Sequence, residues 1–455
     1  MTFETTNPAT GERIDTYEPH DDGSVDAALS AADSAAETWR SRSAEARQEL
    51  AAELATVLRD RTKRYARLMA EEMGKPVDQG VGEIEKCAWL CDHYAENAAA
   101  YLHDERIGSD PGAETYIAYE PLGAVLGVMP WNFPFWQVFR FAVPAVTAGN
   151  TALLKHSPTT FGCAAAIESA FRDAGYPDAV FQSLRIEAER VADVVADDRI
   201  RAVTLTGSTR AGRAVAETAG RNITKTVLEL GGSDPYVVLD DADLDAAVNT
   251  AVTARTQNGG QSCIAAKRLL VHTAVYDEFL DRFVDRMEAQ TVGDPTSPET
   301  DIGPQARADL RSELHEQVEA SVAAGATCRC GGDPIDGDGF YYPPTVLTDA
   351  PADCPARTEE LFGPVATVIE VADEAAAVAV ANETDYGLSA SVWTEDRKRG
   401  RHVAERIDAG AAFVNEMSKS DPRLPFGGVK DSGYGLELSR HGIREFTNAK
   451  TYWIE

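Results

Sequence analysis

Two hydrophobic periods alternate along this chain. Apolar Leu50, Leu54, Val57, Leu58 and Leu68 recur at helical spacing, which predicts an amphipathic helix over 44–73, stopped by Gly74-Lys75-Pro76. A second helical pattern covers 83–101, and neither helix carries evident chemistry. Residues 115–120 alternate in the manner of a partly exposed strand that Pro121 closes. From Gly123 the pattern becomes strand, loop and helix in repetition. It predicts strands at 123–129, 152–154, 180–184, 203–206 and 227–230, with helices that include 135–148 and 160–174. A second run starts near Ser233, with strands at 236–239, 269–272, 366–371 and 412–415 and a helix over 243–257. Such alternation predicts an α/β protein with parallel sheets covered by helices on both faces. No internal repeat or low-complexity linker marks a boundary, so the division is placed near Gly231-Gly232.

Open parallel sheets bind ligands at the carboxyl ends of their strands. Asn132, Lys155 and Gly207 fall at such ends. The helix over 243–257 leads into residues 257–265, Gln-Asn-Gly-Gly-Gln-Ser-Cys-Ile-Ala. Cys263 is the only side chain there that can become a strong nucleophile near neutral pH, because the thiolate is the reactive form. A cysteine taken by itself is more often a small buried hydrophobe. Its companions change that reading: Glu229 in Leu-Glu-Leu-Gly-Gly, Asn132 in Pro-Trp-Asn-Phe-Pro and Glu360 in Glu-Glu-Leu-Phe-Gly-Pro. The run Thr206-Gly207-Ser208-Thr209-Arg210-Ala211-Gly212 follows a strand and opens a helix, a good place for phosphate. Its spacing is neither the usual dinucleotide fingerprint nor a phosphate loop, and by itself it reads equally as a helix cap.

Together these segments resemble the NAD(P)-dependent aldehyde dehydrogenases, nearly end to end, from Asn7-Pro8-Ala9-Thr10-Gly11 to the Pro425–Gly433 run. Within that family the likeness is greatest to the short bacterial-type succinate-semialdehyde dehydrogenases. Lys155-His156-Ser157-Pro158, Leu230-Gly231-Gly232-Ser233-Asp234-Pro235 and residues 341–347 carry it. The resemblance implies two Rossmann-like parallel-sheet domains and a small β arm that bridges subunits of a homodimer or homotetramer. The implied division is 1–110 with 122–230 for NAD(P), 231–425 for catalysis, and 111–121 with 440–455 for the arm.

It also implies roles. Cys263 attacks the aldehyde, Asn132 and the Cys263 N–H hold the oxyanion, and Glu229 activates water against the thioester. Trp131, Lys155, Gly207, Ser208, Gly212, Leu230, Glu360 and Phe362 would bind NAD or NADP, with no metal required. Most NAD-preferring relatives carry a glutamate at the position of Pro158, so the choice between the two cofactors stays open. Arg140, eight residues after Asn132, coincides with a carboxylate-binding arginine of semialdehyde enzymes. Their second arginine is replaced by Gln257, with Arg255 nearby, and Ser420 could supply a hydroxyl. A broad or amino-aldehyde dehydrogenase, a CoA-acylating enzyme, which Glu229 argues against, and a non-catalytic scaffold are the other readings.

Composition narrows the partners. The 455 residues have a net charge of -31, with ten lysines against thirty-three arginines and the acidic surplus spread throughout. That excludes the basic face a nucleic acid needs and suggests adaptation to high salt, where screening relieves self-repulsion. No long apolar run or secretory leader is expected, and seven scattered cysteines read as reduced thiols in a cytoplasmic protein.

Overall fold

A computed structural model describes residues 2–108 and 113–455. Two open sheets organise it. The first has six strands in the spatial order Gly433–Tyr434, Lys225–Glu229, Ile200–Thr206, Ala124–Met129, Thr151–His156 and Phe181–Ser183. All run parallel except Gly433–Tyr434, which returns from late in the chain to pair antiparallel beside Glu229. The second has seven strands in the order Thr327–Cys330, Thr345–Thr348, Val365–Val371, Ala266–His272, Asp234–Val238, Ser389–Trp393 and Ala411–Val414. Its one antiparallel member is the edge strand Thr327–Cys330. Near-continuous burial along the central strands is what a parallel sheet with both faces covered requires.

The expected α/β architecture is therefore present, with several local departures. The helix expected over 44–73 is two helices, Ala44–Asp60 and Thr62–Met73, broken at Arg61. There the Thr62 hydroxyl donates to the carbonyls of Leu58 and Arg59, competing with the regular ladder. The next helix starts at Val77 rather than residue 83. Gly80 and Gly82 hide its signal in the sequence, and Gly80 lets it close on the preceding helix, because an added Cβ would lie 3.0 Å from the Ala66 Cα. Ser389–Trp393 has no counterpart among the expected strands, because Ser-Ala-Ser-Val-Trp carries small polar residues at buried positions.

A separate three-stranded antiparallel sheet joins Glu105–Arg106, Glu114–Pro121 and Thr447–Ile454, with Glu114–Pro121 in the middle. Tyr116 and Tyr452 stack across it, ring centroids 4.8 Å apart. The arm was expected to begin at residue 111, and residues 111–112 lie outside those described. Among the described residues no helix is long and apolar enough to cross a membrane.

Candidate functional site

The helix Leu244–Thr256 ends in a tight turn where Asn258, Gly259 and Gly260 take φ of 59°, 62° and 72° in succession. Two glycines make this left-handed run tolerable. Gly260 also packs its bare Cα against the Gly363 carbonyl. The turn presents Cys263, and buried donors fix it from behind. Arg255 donates to the carbonyls of Gly260 (2.9 Å), Leu361 (3.2 Å) and Gly363. Lys267 Nζ donates to the carbonyls of Ser262 (2.8 Å) and Cys263 (2.7 Å).

Asn132 reaches the same turn from the first sheet, following the strand Ala124–Met129. Its Nδ2 donates to the Gln261 carbonyl at 3.0 Å, and its own carbonyl accepts from Asn258 Nδ2 at 2.7 Å. Three groups the sequence did not single out hold this second loop. Glu83 accepts from the N–H groups of Phe135 and Trp136, both at 2.9 Å, at the start of the helix Trp136–Thr147. Lys75 pairs with Glu83 and lies over the Phe133 ring. His156 meets the Pro134 carbonyl at 2.9 Å, and burial pushes its imidazole down to about 4, so it is neutral. Lys75 read as part of a helix stop, and only the charge of a lysine beside a later glutamate hinted at more.

Burial dominates the electrostatics. It pushes the Cys263 thiol up to about 12, while the cations Lys267 and Arg140 pull the other way. Glu229, on the strand Lys225–Glu229, is 2% exposed, and neither carboxylate oxygen has a hydrogen-bond partner. Burial and then the nearby Glu437 raise its carboxyl well above the ordinary value, with Arg140 opposing. Both groups answer to one guanidinium, Arg140, which favours the thiolate of Cys263 and the carboxylate of Glu229 against burial.

Trp131, Asn132, Cys263 and Glu360 line one cleft of roughly 400 Å³, a size suited to small ligands. Gly207, Ser208, Leu230 and Phe362 line it too. Ser208 caps the helix Thr209–Asn222, its Oγ accepting from the Ala211 N–H. The cleft thus joins a helix N-terminus, whose free N–H groups can take phosphate, to a cysteine. Glu360 accepts from the Gly232 N–H at 3.1 Å and lies 3.3 Å from Lys267 Nζ. A side chain at Gly231 would meet Glu360 Oε2 at 2.6 Å, so the backbone comes close there by necessity. Gly212 lies behind the cleft, under Leu230, and Lys155 sits 7% exposed toward the end of the strand Thr151–His156. These groups fit a dinucleotide: donors for phosphate at one end, a carboxylate for ribose hydroxyls, and aromatic Trp131 and Phe362 packed edge to face at 5.8 Å.

Three residues expected near the substrate have partners of their own. Arg140 is no free cation: its Nε lies 2.7 Å from Glu437 Oε2, close in distance but not aligned as a hydrogen bond. Glu437, inside a glycine-rich segment, gave no sign of this in the sequence. Arg255 is fully buried, with its Nη2 bound to backbone carbonyls, so it does not replace the arginine missing at Gln257. Ser420 lies against Lys86 and Trp136, whose nitrogens donate to its Oγ at 2.9 and 3.1 Å, rather than among the dinucleotide groups of the cleft.

Residues 1–452 match the aldehyde dehydrogenase family. A probable succinate-semialdehyde dehydrogenase [NADP(+)] from Synechocystis sp. is 49% identical over 454 residues, covering 100% of each chain. A succinate-semialdehyde dehydrogenase [NADP(+)] 1 from Mycobacterium ulcerans is 48% identical over 457 residues, again covering 100% of each. The solved succinic semialdehyde dehydrogenase from Streptococcus pyogenes, in complex with NADP+, superimposes with a TM-score of 0.97 at 34% identity, covering 99% of both chains.

Proposed function

The chain belongs to the aldehyde dehydrogenase family, and from that premise we propose that it oxidises succinate semialdehyde to succinate with NADP, using NAD less well. The observation that carries the chemistry is the convergence of Cys263, Asn132 and Glu360 in one cleft with a helix N-terminus at its far end. The cleft wall from Gly207 and Ser208 to Glu360 and Phe362 would hold the dinucleotide. When bound, its nicotinamide accepts a hydride.

Cys263 gives its proton to solvent and its sulfur bonds to the aldehyde carbon, moving the carbonyl π electrons onto oxygen. The second N–H of the Asn132 amide and the backbone N–H of Cys263 receive that oxyanion. Among the described residues neither is committed to another acceptor. The oxyanion re-forms the carbonyl as the C–H electron pair departs, leaving a thioester on Cys263. Glu229 takes a proton from water as the water oxygen attacks the thioester. The C–S bond then breaks, the sulfur leaves as the thiolate, and the acid formed gives its remaining proton to solvent and is released as a carboxylate.

NADP is favoured because Pro158 brings no carboxylate to repel a 2′-phosphate, and the relatives compared are described with NADP. The first half of the chain, centred on the six-stranded sheet, would serve the cofactor and the second half the nucleophile. The arm would bridge subunits of a homodimer or homotetramer. Trp453, Ile454 and Ile107 on or beside it are 57%, 48% and 59% exposed, which supports burial by a second copy. A cytoplasm of high ionic strength would suit the net charge of -31.

The test compares NADPH formation from succinate semialdehyde and from uncharged butanal, with Cys263→Ala as control. A preference of about a hundredfold, worth about 2.7 kcal/mol, supports the reading. Equal rates leave only a general aldehyde dehydrogenase.

A further inference from the structure

Lys86 is a partly buried cation without an anion among the described residues. It projects from the helix Val77–Tyr101 toward the loop 418–424. Its Nζ donates to Ser420 Oγ at 2.9 Å and sits 4.4 Å from the centre of the Trp136 ring. An ammonium has three donors, and among the described residues Lys86 makes no ion pair. The two carboxylates whose charge reaches it are already engaged. Glu83 is held by Lys75 and by the N–H groups of Phe135 and Trp136. Asp421 is held by both arms of Arg423, at 2.9 and 2.6 Å. Arg140, also within reach, is a cation and repels it.

A lysine drawn partly out of water usually has an anion beside it. Structural need does not account for this one. The loop 418–424 is independently fastened to the same helix by Arg423 lying over the Trp89 ring, 5.4 Å from its centre. Burial brings the Lys86 ammonium down to about 8, so it still carries its charge at neutral pH.

The position bears on the substrate. Trp136 begins the helix that follows Asn132, and Phe133, Cys263 and Ile264 pack on the core shared with Trp136. Arg140 lies one helical turn beyond Trp136 on that helix, and its charge reaches both Cys263 and Lys86. With Arg140 answered by Glu437, the cation left to answer a carboxylate is the lysine.

We propose that Lys86, held by Ser420 and Trp136, is the specificity-determining residue that receives the distal carboxylate of the substrate. The contact is a charge-assisted hydrogen bond in a site mostly closed to water, joined by the Ser420 hydroxyl. This rests on the semialdehyde reading above.

The experiment measures the ratio of kcat/KM for succinate semialdehyde to that for butanal in the wild type, Lys86→Met, Lys86→Arg and Arg140→Met. Succinate binding is followed in parallel by calorimetry without cofactor. The ratio cancels damage common to both substrates. The proposal expects Lys86→Met to lower the ratio by at least about tenfold and to abolish measurable succinate binding. Lys86→Arg should restore part of both. If Lys86→Met keeps the wild-type ratio while Arg140→Met loses it, the lysine assignment is overturned and the semialdehyde reading stands. If the wild type itself shows no preference, the semialdehyde reading has failed first. Should Lys86→Met not fold, Lys86→Gln is read by the same ratio, and an unchanged value there overturns the assignment equally.

Discussion

Arg140 and Glu437 face each other inside the protein at 2.7 Å, with side chains 4% and 1% exposed. The pair sets the charge around the reacting groups: Glu437 raises the Glu229 carboxyl and Arg140 lowers it. Glu437→Gln should therefore let Glu229 ionise at lower pH, since it removes an anion and leaves the cation. The rising limb of the pH profile for turnover should move to lower pH. Urea unfolding should show a loss of about 3–5 kcal/mol, the usual cost of leaving one member of a buried pair alone. A limb that stays in place would mean that Glu229 does not govern it.

Glu229 itself makes the protein less stable as pH rises. Its folded value is raised above the ordinary 4.5. Between those values the native state holds a proton that the unfolded state has released, so stability falls with increasing pH. Glutamine has no such proton. The melting temperature of Glu229→Gln relative to wild type should climb from pH 5 to pH 8, while turnover drops by about 10²–10⁴-fold. A pH-independent difference in melting temperature would count against the raised carboxyl.

Much of this was readable from sequence. The strand and helix periods located both sheets, since buried parallel strands are apolar runs that need no partner to be noticed. Cys263, Asn132 and Glu360 announced themselves through glycine, proline and aromatic neighbours and came together in one cleft. The groups that support them did not. Lys75, Glu83, Arg255 and Lys267 act through contacts between distant segments, and a buried charge looks like any surface charge until its partner is known. Arg140 shows the same limit from the other side: its position on the helix was clear, but Glu437 lies 297 positions away, a separation that follows from 437 less 140. Ser389–Trp393 escaped because its buried Ser389 is satisfied from other elements, by Asp234 and Ser418.

Pro158 offers a direct test of cofactor choice. It opens a single turn, Pro158–Thr160, capped by Ser157 just after the strand that carries Lys155. Pro158→Glu would add a carboxylate where a 2′-phosphate is proposed to lie. The ratio of kcat/KM with NADP to that with NAD should fall at least about tenfold through like-charge repulsion. An unchanged ratio would place the adenosine ribose elsewhere.

The net charge of -31 predicts a stability that depends on salt. At low ionic strength the Debye length is about 30 Å at 0.01 M, against about 3 Å at 1 M. The melting temperature should rise steeply with potassium chloride over that interval. A flat response would remove the case for a high-salt interior.

The central claim is that oxidation passes through a thioester on Cys263 which Glu229 is needed to resolve. Mass spectrometry of intact Glu229→Gln, mixed with succinate semialdehyde and NADP, tests it most directly. The account predicts one equivalent of NADPH released in a burst, a protein heavier by one succinyl group, and that group mapped to the peptide containing Cys263. A burst with no acyl group on the protein, or the same NADPH yield from Cys263→Ala, would contradict it.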